Sequence, residues 1–466
     1  MNRFNRFLSV FFFAFVFISV SIAQSPANFP PLKIDPMLDD KGAFWEISSD
    51  KFITKTTKPS FKWLSSEKKN EAKAPAYGNS PQMNFLDMRV CEVIVRFSSD
   101  KISNMDISIY NRGDAGDLNK EQFEKKIEEL EKKLNEWTGA EGFELKKQRV
   151  SDKNIQQKIW VKGPYCMTCK WSATGKAQKD FRAEYIQMDV SKFDPQNDPR
   201  KKSQSLQPEK AQIADVADLP KNIKKDENGD VHIDGIPMVD QGQKGYCVVA
   251  TVERILRYYG MDVDQHLLAQ LANTAANGRG GTYYSDMLSS MKKAGTLFRV
   301  KVKDLYFDKN CNDFTKFQKF LNGYNSVAKK DKKKGIDINN YKYQEGNTIF
   351  YDVSKIYDDL DPDIYVKYRA DRDRSDYKRF LKEVKEEINA GLPVAWSVRL
   401  GIVKEEKRNS QTGGGHMRLI IGYNDKTSEL IYSDSWGDGH EFKKMPYDNA
   451  WAITVNSILF MPRKNR

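Results

Sequence analysis

The sequence predicts an α+β protein in which one folded unit follows another along the chain. Between residues 41 and 190, the alternating segments Arg89–Phe97 and Met105–Tyr110 predict paired strands, and Asn119–Trp137 predicts an amphipathic helix packed on them. From residue 230 onward, predicted helices come first and predicted strands follow residue 389. Helices separated along the chain from antiparallel strands are typical of the α+β class. We therefore expect a C-terminal domain with a helical half and an antiparallel sheet half, preceded by a separate α+β domain.

Residues 1–23 predict a secretory signal peptide. Arg3 and Arg6 precede a stretch rich in Phe, Val and Ile, and a small-residue cleavage site ends at Ala23. An uncleaved anchor is the alternative, because the apolar run is at the upper end of signal-peptide length. Residues 24–40 are rich in proline and are expected to be extended. Since no later segment is apolar enough to span a membrane, we expect a secreted or periplasmic protein without an integral membrane segment.

The basic charge of the chain is dispersed. Its 466 residues carry a formal net charge of +12, and lysines occur along the whole sequence. The densest run, residues 329–334, lacks regularly spaced aromatics and predicts a solvated loop, with contact to an anionic surface as the alternative. A secretory signal argues against nucleic acid as a partner.

Residues 41–190 are expected to form the N-terminal α+β domain, in which no catalytic pattern occurs. Further strands are expected near residues 157–161, 165–173 and 181–190. The acids Asp106, Asp114 and Asp117 lie near a glycine and could suggest calcium, but an ordinary acidic loop is the favoured interpretation.

The chain has five cysteines, which are Cys91, Cys166, Cys169, Cys247 and Cys311. With Cys247 set aside an even number remains, and we expect disulfides or idle thiols whose pairing the sequence does not specify. Cys166 and Cys169 have strand-like flanks, which do not fit a redox motif at the start of a helix. Zinc would need two further ligands, and no His lies in that half of the chain. No metal site is therefore expected there.

Residues 191–229 predict a linker, because they combine four prolines and many charges with almost no aromatics. The C-terminal domain is expected over residues 230–466. Its predicted helices are Cys247–Tyr259, Asp264–Ala275, Thr282–Ala294 and Tyr377–Asn389. The polar, lysine-rich residues 304–374 predict an insertion between the two halves of this domain, and such excursions often carry binding loops.

Cys247 is the candidate nucleophile. The apolar residues after it recur on one face of a predicted helix that Gly260 ends. Cys247 therefore lies at a helix N-terminus, where the partial positive charge favours a thiolate. Gly242 and Gly245 allow the preceding loop to turn tightly and to bring Gln241 toward the thiol. A buried core cysteine without chemistry is the alternative.

His416 and Asp434 are the candidate base and acid. His416 opens a predicted strand that ends near Tyr423, and a second predicted strand, Glu429–Ser433, leads directly to Asp434. A hairpin of these two strands places both side chains next to each other, and the indole of Trp436 is expected to cover them. The histidines of the chain are His232, His266, His416 and His440. Of the other three, only His440 competes with His416 as the base.

These residues resemble those of the papain-like cysteine peptidases. Gln241-Gly-Gln-Lys-Gly-Tyr-Cys247 is similar to the family's Gln-Gly-x-Cys-Gly-Ser-Cys, and Asp434-Ser-Trp-Gly is similar to its Asn-Ser-Trp-Gly. Val248 stands where the family has Trp, and Asp434 stands where it has Asn. The Asp and the segment 388–397 resemble the bacteriocin-processing peptidases and their extracytoplasmic relatives. The resemblance covers about residues 231–460 and implies a papain-like fold, peptide-bond hydrolysis and no cofactor.

The expected activity is that of a secreted cysteine peptidase acting on a peptide or protein. Cys247 attacks the carbonyl, His416 pairs with it and later protonates the leaving amine, and Asp434 orients His416. Gln241 and the backbone N–H of Cys247 hold the oxyanion. An acyl-transferring enzyme of transpeptidase or transglutaminase type uses the same groups and remains an alternative, as does a catalytically idle peptide-binding protein of the same fold. Residues 41–190 are expected to be an accessory domain, with an inhibitory pro-domain as the alternative.

Overall fold

The computed structural model describes residues 31–39, 41–56, 60–75, 82–150, 153–175, 177–202, 214–274, 286, 289, 298–308, 314–346, 348–405 and 413–463. The predicted signal peptide, the helix expected over 282–294 except two of its positions, and Cys311 lie outside these residues. The chain combines helices with antiparallel sheets and so has the predicted α+β class.

The secondary structure follows the predicted order along the chain. The described helices are α1 (Ser49–Lys55), α2 (Arg112–Ala115), α3 (Lys120–Thr138), α4 (Pro199–Lys202), α5 (Cys247–Tyr258), α6 (Gln265–Leu271), α7 (Phe314–Lys330), α8 (Val353–Asp358), α9 (Pro362–Arg372), α10 (Arg374–Asn389) and α11 (Tyr447–Ile453). The described strands before α5 are β1 (Leu32–Lys33), β2 (Lys62–Trp63), β3 (Glu71–Pro75), β4 (Met83–Phe85), β5 (Met88–Val90), β6 (Glu92–Ser98), β7 (Lys101–Asn111), β8 (Phe143–Glu144), β9 (Gln148–Val150), β10 (Lys153–Lys162), β11 (Tyr165–Thr174), β12 (Arg182–Lys192), β13 (Ile223–Lys225) and β14 (Asp230–Ile233). The described strands after α6 are β15 (Val300–Phe307), β16 (Lys342–Glu345), β17 (Thr348–Tyr351), β18 (Val394–Leu400), β19 (Gly414–Asn424), β20 (Glu429–Ser433), β21 (Lys443–Pro446) and β22 (Thr454–Pro462).

The first large sheet, called the N-terminal sheet, has the strand order β2-β3-β6-β7-β12-β11-β10-β8, with β9 paired to β10. One of its faces is apolar and packs against helix α3, which buries Phe123, Leu130 and Leu134. Asn119 caps this helix in a reciprocal capping box with Gln122, which fixes where it begins. The predicted amphipathic helix is therefore a helix packed on a sheet.

The opposite face of the N-terminal sheet is polar, and it is also buried. Because side chains alternate between faces along a strand, residues paired in register share a face. Lys73 of β3 and Asp106 of β7 both pair with Ile94, while Glu92 of β6 pairs with Ser108. All four polar side chains are buried, and helices of the C-terminal half cover this face.

The second large sheet, called the C-terminal sheet, has the order β13-β14-β19-β18-β22-β15, and β20 joins it between β19 and β21. Helices α5 and α10 pack against strand β19. Strand β15 pairs with β22 and spans the position at which the insertion was predicted to begin. Helices α7 to α9 and the β16–β17 hairpin then lie in the chain between β15 and α10.

Helix α5 lies between the two sheets, which explains why it is buried on nearly all sides. Thr251 donates a hydrogen bond to the carbonyl of Met417 in the C-terminal sheet (3.4 Å). On the other side, Arg257 pairs with Glu71 of the N-terminal sheet. Residues 41–190 were predicted to be a separate domain. Most of their buried apolar side chains form a hydrophobic core of their own, and ion pairs such as Arg257–Glu71 and Lys244–Glu92 join them to the C-terminal half.

The described cysteines Cys91, Cys166, Cys169 and Cys247 carry free thiols. Cys166 and Cys169 are both on strand β11, three positions apart, so their side chains point to opposite faces of the sheet and cannot reach each other. Burial raises the pKa of the Cys166 thiol to about 11. Within the part of the chain that the structure describes, no helix is both long and apolar enough to cross a membrane.

Candidate active site

Cys247 is the first residue of helix α5 and is buried. The loop before it turns at Gly242 and Gly245, whose φ angles of 62° and 70° lie in the region that favours glycine. This turn brings Gln241 beside the segment after Asp434, because the backbone N–H of Gln241 donates to the carbonyl of Ser435 (2.8 Å). The Gln241 side chain is buried as well. The loop thus connects Cys247 to the segment that follows Asp434.

His416 and Asp434 meet across the predicted hairpin. Strands β19 and β20 pair antiparallel, with Asn424 opposite Glu429 and Leu419 opposite Ser433. The Nε2 atom of His416 is 3.0 Å from Oδ1 of Asp434, and neither side chain is exposed. The other ring nitrogen, Nδ1, forms no hydrogen bond with a described residue. The imidazole also interacts electrostatically with the Cys247 thiol.

The protonation of His416 follows from these contacts. Burial alone lowers the pKa of His416, but the neighbouring Asp434 carboxylate, followed by the Cys247 thiol, outweighs burial, and the pKa lies above its ordinary value. The Trp436 ring stacks on the imidazole with a centroid distance of 4.1 Å and an interplanar angle of 3°. The predicted cover over the His–Asp pair is therefore present, and it restricts rotation of the ring.

Asp434 is surrounded by cations. Its carboxylate accepts hydrogen bonds from Nε of Arg418 (3.0 Å) and from Nζ of Lys443 (2.7 Å), in addition to His416. Burial raises the pKa of Asp434, but Arg418, followed by His416 and Lys443, holds the pKa well below its ordinary range. Asp434 is therefore an ionised acceptor whose carboxylate is shielded from water.

Sequence reasoning missed both of these cations. Arg418 lies two residues after His416 on the same strand, so the alternation rule places it on the same face, and that signal was present. Lys443 belongs to strand β21, which pairs with β20, and only the sheet order places it near Asp434. Arg418 also binds Glu405 (2.7 Å).

Arg254 ties helix α5 to the strand that ends at Asp434. Its buried guanidinium donates to the carbonyl of Asp434 (3.0 Å), to the hydroxyl of Ser433 (2.6 Å) and to the carbonyl of Pro237 (2.8 Å). Since Arg254 lies on the same helix as Cys247, these hydrogen bonds fix the position of Cys247 relative to Asp434.

The competing residues have other surroundings. The backbone of His440 closes the turn after Asp434, since its carbonyl accepts from the Asp434 N–H (3.0 Å), while its ring contacts Trp436 edge-on. Asp106, Asp114 and Asp117 pair with Arg96, Lys244 and Arg112, respectively, so they do not converge. The described residues contain no group of three metal-ligating acids, His or Cys that could hold an ion.

Comparisons with known proteins agree with this site in part. The model described as "Peptidase_C39 like family" matches residues 323–458, which include His416 and Asp434 but not Cys247. This match confirms the predicted resemblance to C39-like cysteine peptidases. Among solved structures, xylellain, a cysteine protease from Xylella fastidiosa, is 18% identical over 18% of this chain and 37% of its own chain, with a TM-score of 0.15. No curated protein matches the chain.

Proposed function

We propose that the chain is a secreted cysteine peptidase whose papain-like C-terminal part hydrolyses peptide bonds. One observation carries the proposal. The His416 ring is bonded through Nε2 to the buried Asp434 carboxylate, which leaves its other nitrogen for the Cys247 thiol at the start of a helix. A thiol, a base and an orienting acid in this order are the parts that nucleophilic catalysis needs.

The proposed reaction has two steps, formation of a thioester at Cys247 and hydrolysis of that thioester, and Cys247 and His416 act in both. The Cys247 thiolate attacks the peptide carbonyl while His416 holds the proton, and the amide nitrogen leaves with that proton. In the second half, His416 takes a proton from water, which attacks the thioester and frees Cys247. Asp434 keeps the imidazole in one orientation, and its negative charge stabilises the protonated ring.

Gln241 is proposed as the side-chain donor to the oxyanion. Its side chain is buried beside the loop that leads to Cys247, and its backbone is fixed to Ser435. A preorganised donor in a closed site stabilises the developing negative charge without reorganisation at the moment of reaction. The backbone N–H of Cys247, at the start of α5, is proposed as the second donor.

The test is hydrolysis of an unfolded protein, such as reduced casein, by the chain without residues 1–23. The matched control is Cys247→Ala, which removes only one sulfur. We expect fragments from the wild type alone, with new N-termini that can be sequenced. Fragments released equally by both chains would show that the nucleophile lies elsewhere. A product joined to an added amine instead of water would identify acyl transfer.

Secretion is tested separately from catalysis. Expression of the full chain in a bacterial host, followed by N-terminal sequencing of the extracytoplasmic fraction, should give a first residue of Gln24. An N-terminus at Met1 in the membrane fraction would instead support the uncleaved anchor.

A further inference from the structure

The loop of residues 240–246, called the catalytic loop, leads into Cys247 and is held by the N-terminal half. Three of its residues, Asp240, Lys244 and Tyr246, contact the N-terminal sheet or helix α2, which follows strand β7. Lys73, Lys244 and Tyr246 are buried in these contacts, and the loop residues lie within seven positions of the proposed nucleophile along the chain. The N-terminal sheet therefore borders the catalytic loop directly.

The first contact is made by Lys73 of strand β3. Its ammonium donates to the backbone carbonyl of Asp240 (2.9 Å) and pairs with the carboxylates of Asp240 (3.3 Å) and Glu92 (2.9 Å). Asp240 in turn accepts from the N–H of Gly242 (2.9 Å) and forms a bridge with Trp436. Lys73 thus fixes the residue at which the loop begins.

The second contact is made by Lys244, in the middle of the loop. Its side chain is fully buried and pairs with Glu92 (3.2 Å) and Asp114 (2.8 Å), both of the N-terminal half. Burial lowers the pKa of Lys244, but Asp114 and Glu92 outweigh it, so that the net effect is a raised pKa and a charged ammonium. A buried ammonium without partners is costly, so the loop position depends on these two acids.

The third contact is between Tyr246 and Gly113 of helix α2. A methyl group added to Gly113 would lie 2.7 Å from Cζ of the Tyr246 ring, so glycine alone allows this approach. Tyr246 immediately precedes Cys247 and is the N-cap residue of helix α5. The ring of Tyr246 is thus the most direct mechanical link between the N-terminal half and the thiol.

We infer that Lys73, Glu92 and Gly113 are positioning residues that hold Gln241 and Cys247 in register with His416, which makes the N-terminal sheet a permanent part of the active site. This inference deepens the proposed function and rests on it. The N-terminal half contacts the catalytic loop through ion pairs and side-chain packing. In this inference it supports the loop and does not act as a removable inhibitor. A displacement of about 1 Å in such a constellation costs on the order of 10²-fold in rate.

The test uses two matched glycine substitutions in the full chain. The methyl group of Gly113→Ala would clash with the Tyr246 ring. The methyl group of Gly142→Ala would clash with Trp160, which belongs to the apolar core of the N-terminal half. Neither glycine has a left-handed φ angle, so both substitutions act through contact alone. The main readout is the rate at which iodoacetamide alkylates Cys247, followed by peptide mapping, with the melting temperature measured alongside.

We expect Gly113→Ala to slow alkylation of Cys247 at least tenfold and Gly142→Ala to leave it within about twofold of wild type, although both lower the melting temperature. Equal alkylation rates in Gly113→Ala and wild type would overturn the inference, as would an equal slowing in both variants. If Gly113→Ala does not fold, Glu92→Gln replaces it, with Glu71→Gln at the other end of helix α5 as its control.

The same readout separates this inference from the proposed function, because alkylation needs no peptide substrate. Slow alkylation in Gly113→Ala with no peptide hydrolysis by wild type would keep the positioning role and reject the peptidase. Hydrolysis by wild type with an unaffected Gly113→Ala variant would keep the peptidase and reject the positioning role.

Discussion

Two buried carboxylates, Asp434 and Glu92, have nearly the same surroundings. Asp434 binds Nε2 of His416, Arg418 and Lys443 at 3.0, 3.0 and 2.7 Å. Glu92 binds Nε2 of His266, Lys73 and Lys244 at 3.2, 2.9 and 3.2 Å. Burial raises the pKa of each carboxylate, and the neighbouring cations hold both pKa values well below the ordinary range.

The difference lies in what the histidine ring faces. The imidazole of His416 interacts with the Cys247 thiol, whereas the ring of His266 lies against the ring of Tyr246 with a centroid distance of 5.9 Å. A carboxylate–histidine pair flanked by cations is therefore not in itself a catalytic feature. We propose that the Asp434 cluster activates a nucleophile, and we infer that the Glu92 cluster holds the loop that carries it.

The largest expected effect separates the two histidines. Because residues that act as a unit are each indispensable, Cys247→Ala and His416→Ala should each lower kcat by on the order of 10⁶. His266→Ala should lower stability and reduce kcat less than about tenfold, because the pairs of Glu92 with Lys73 and Lys244 remain to hold the loop. Hydrolysis kinetics and thermal melting of the three variants check this, and equal losses of kcat in both histidine variants would contradict the assignment.

Removal of the N-terminal half is expected to inactivate the chain. A chain that begins at Asp226 lacks Lys73, Glu92 and Asp114, so the buried ammonium of Lys244 loses its described partners. We expect at least a tenfold loss of turnover on a small fluorogenic peptide, together with a lower melting temperature. A gain in turnover would instead identify an inhibitory pro-domain, and unchanged turnover would identify an independent accessory domain.

Gln241 distinguishes stabilisation of the oxyanion from activation of the thiol. Gln241→Ala should lower kcat by about 10²–10³, as loss of one oxyanion donor does. Alkylation by iodoacetamide forms no oxyanion, so its rate at Cys247 should stay within about twofold of wild type. A parallel loss of both rates would show that Gln241 positions the thiol instead.

The two carboxylates should differ in their effect on the pH profile. Asp434 raises the pKa of His416 above its ordinary value of 6.5, so the fall of wild-type hydrolysis on the alkaline side, the alkaline limb of the pH profile, should lie above that pH. Asp434→Asn removes this contribution and should move the alkaline limb to lower pH, while Glu92→Gln should lower the rate and leave the limb in place. Each change breaks a buried ion pair and should cost about 3–5 kcal/mol of stability. Identical pH profiles for Asp434→Asn and Glu92→Gln would contradict the different roles proposed for these two carboxylates.

The hairpin that carries His416 and Asp434 could be predicted because the signals for it lie within a short stretch of sequence. Strand Glu429–Ser433 has the predicted bounds, and the turn before it places Leu419 opposite Ser433, close to His416 and Asp434. Helix α5 was predicted for the same reason, since apolar periodicity and Gly260 define it within a short stretch. The α+β class followed from the order of such elements.

The Glu92 cluster could not be predicted, because its members come from residues 73, 92, 244 and 266, far apart in sequence. Alternation along β3, β6 and β7 shows that one face of the sheet is polar, but alternation does not tell whether water or protein covers that face. The sequence therefore did not predict the buried, charged interface between the N-terminal sheet and the C-terminal half.

The most direct test of the account is the rate of iodoacetamide alkylation at Cys247, resolved by peptide mapping, between pH 5 and pH 9. The account predicts that wild-type Cys247 reacts at pH 6 much faster than Cys91, Cys166 and Cys169, because the neighbouring His416 holds a proton there and stabilises the thiolate. In His416→Ala this advantage should disappear at pH 6 and return only in alkaline solution. Equal reactivity of Cys247 in both chains at pH 6 would contradict the claim that His416 and Asp434 activate it.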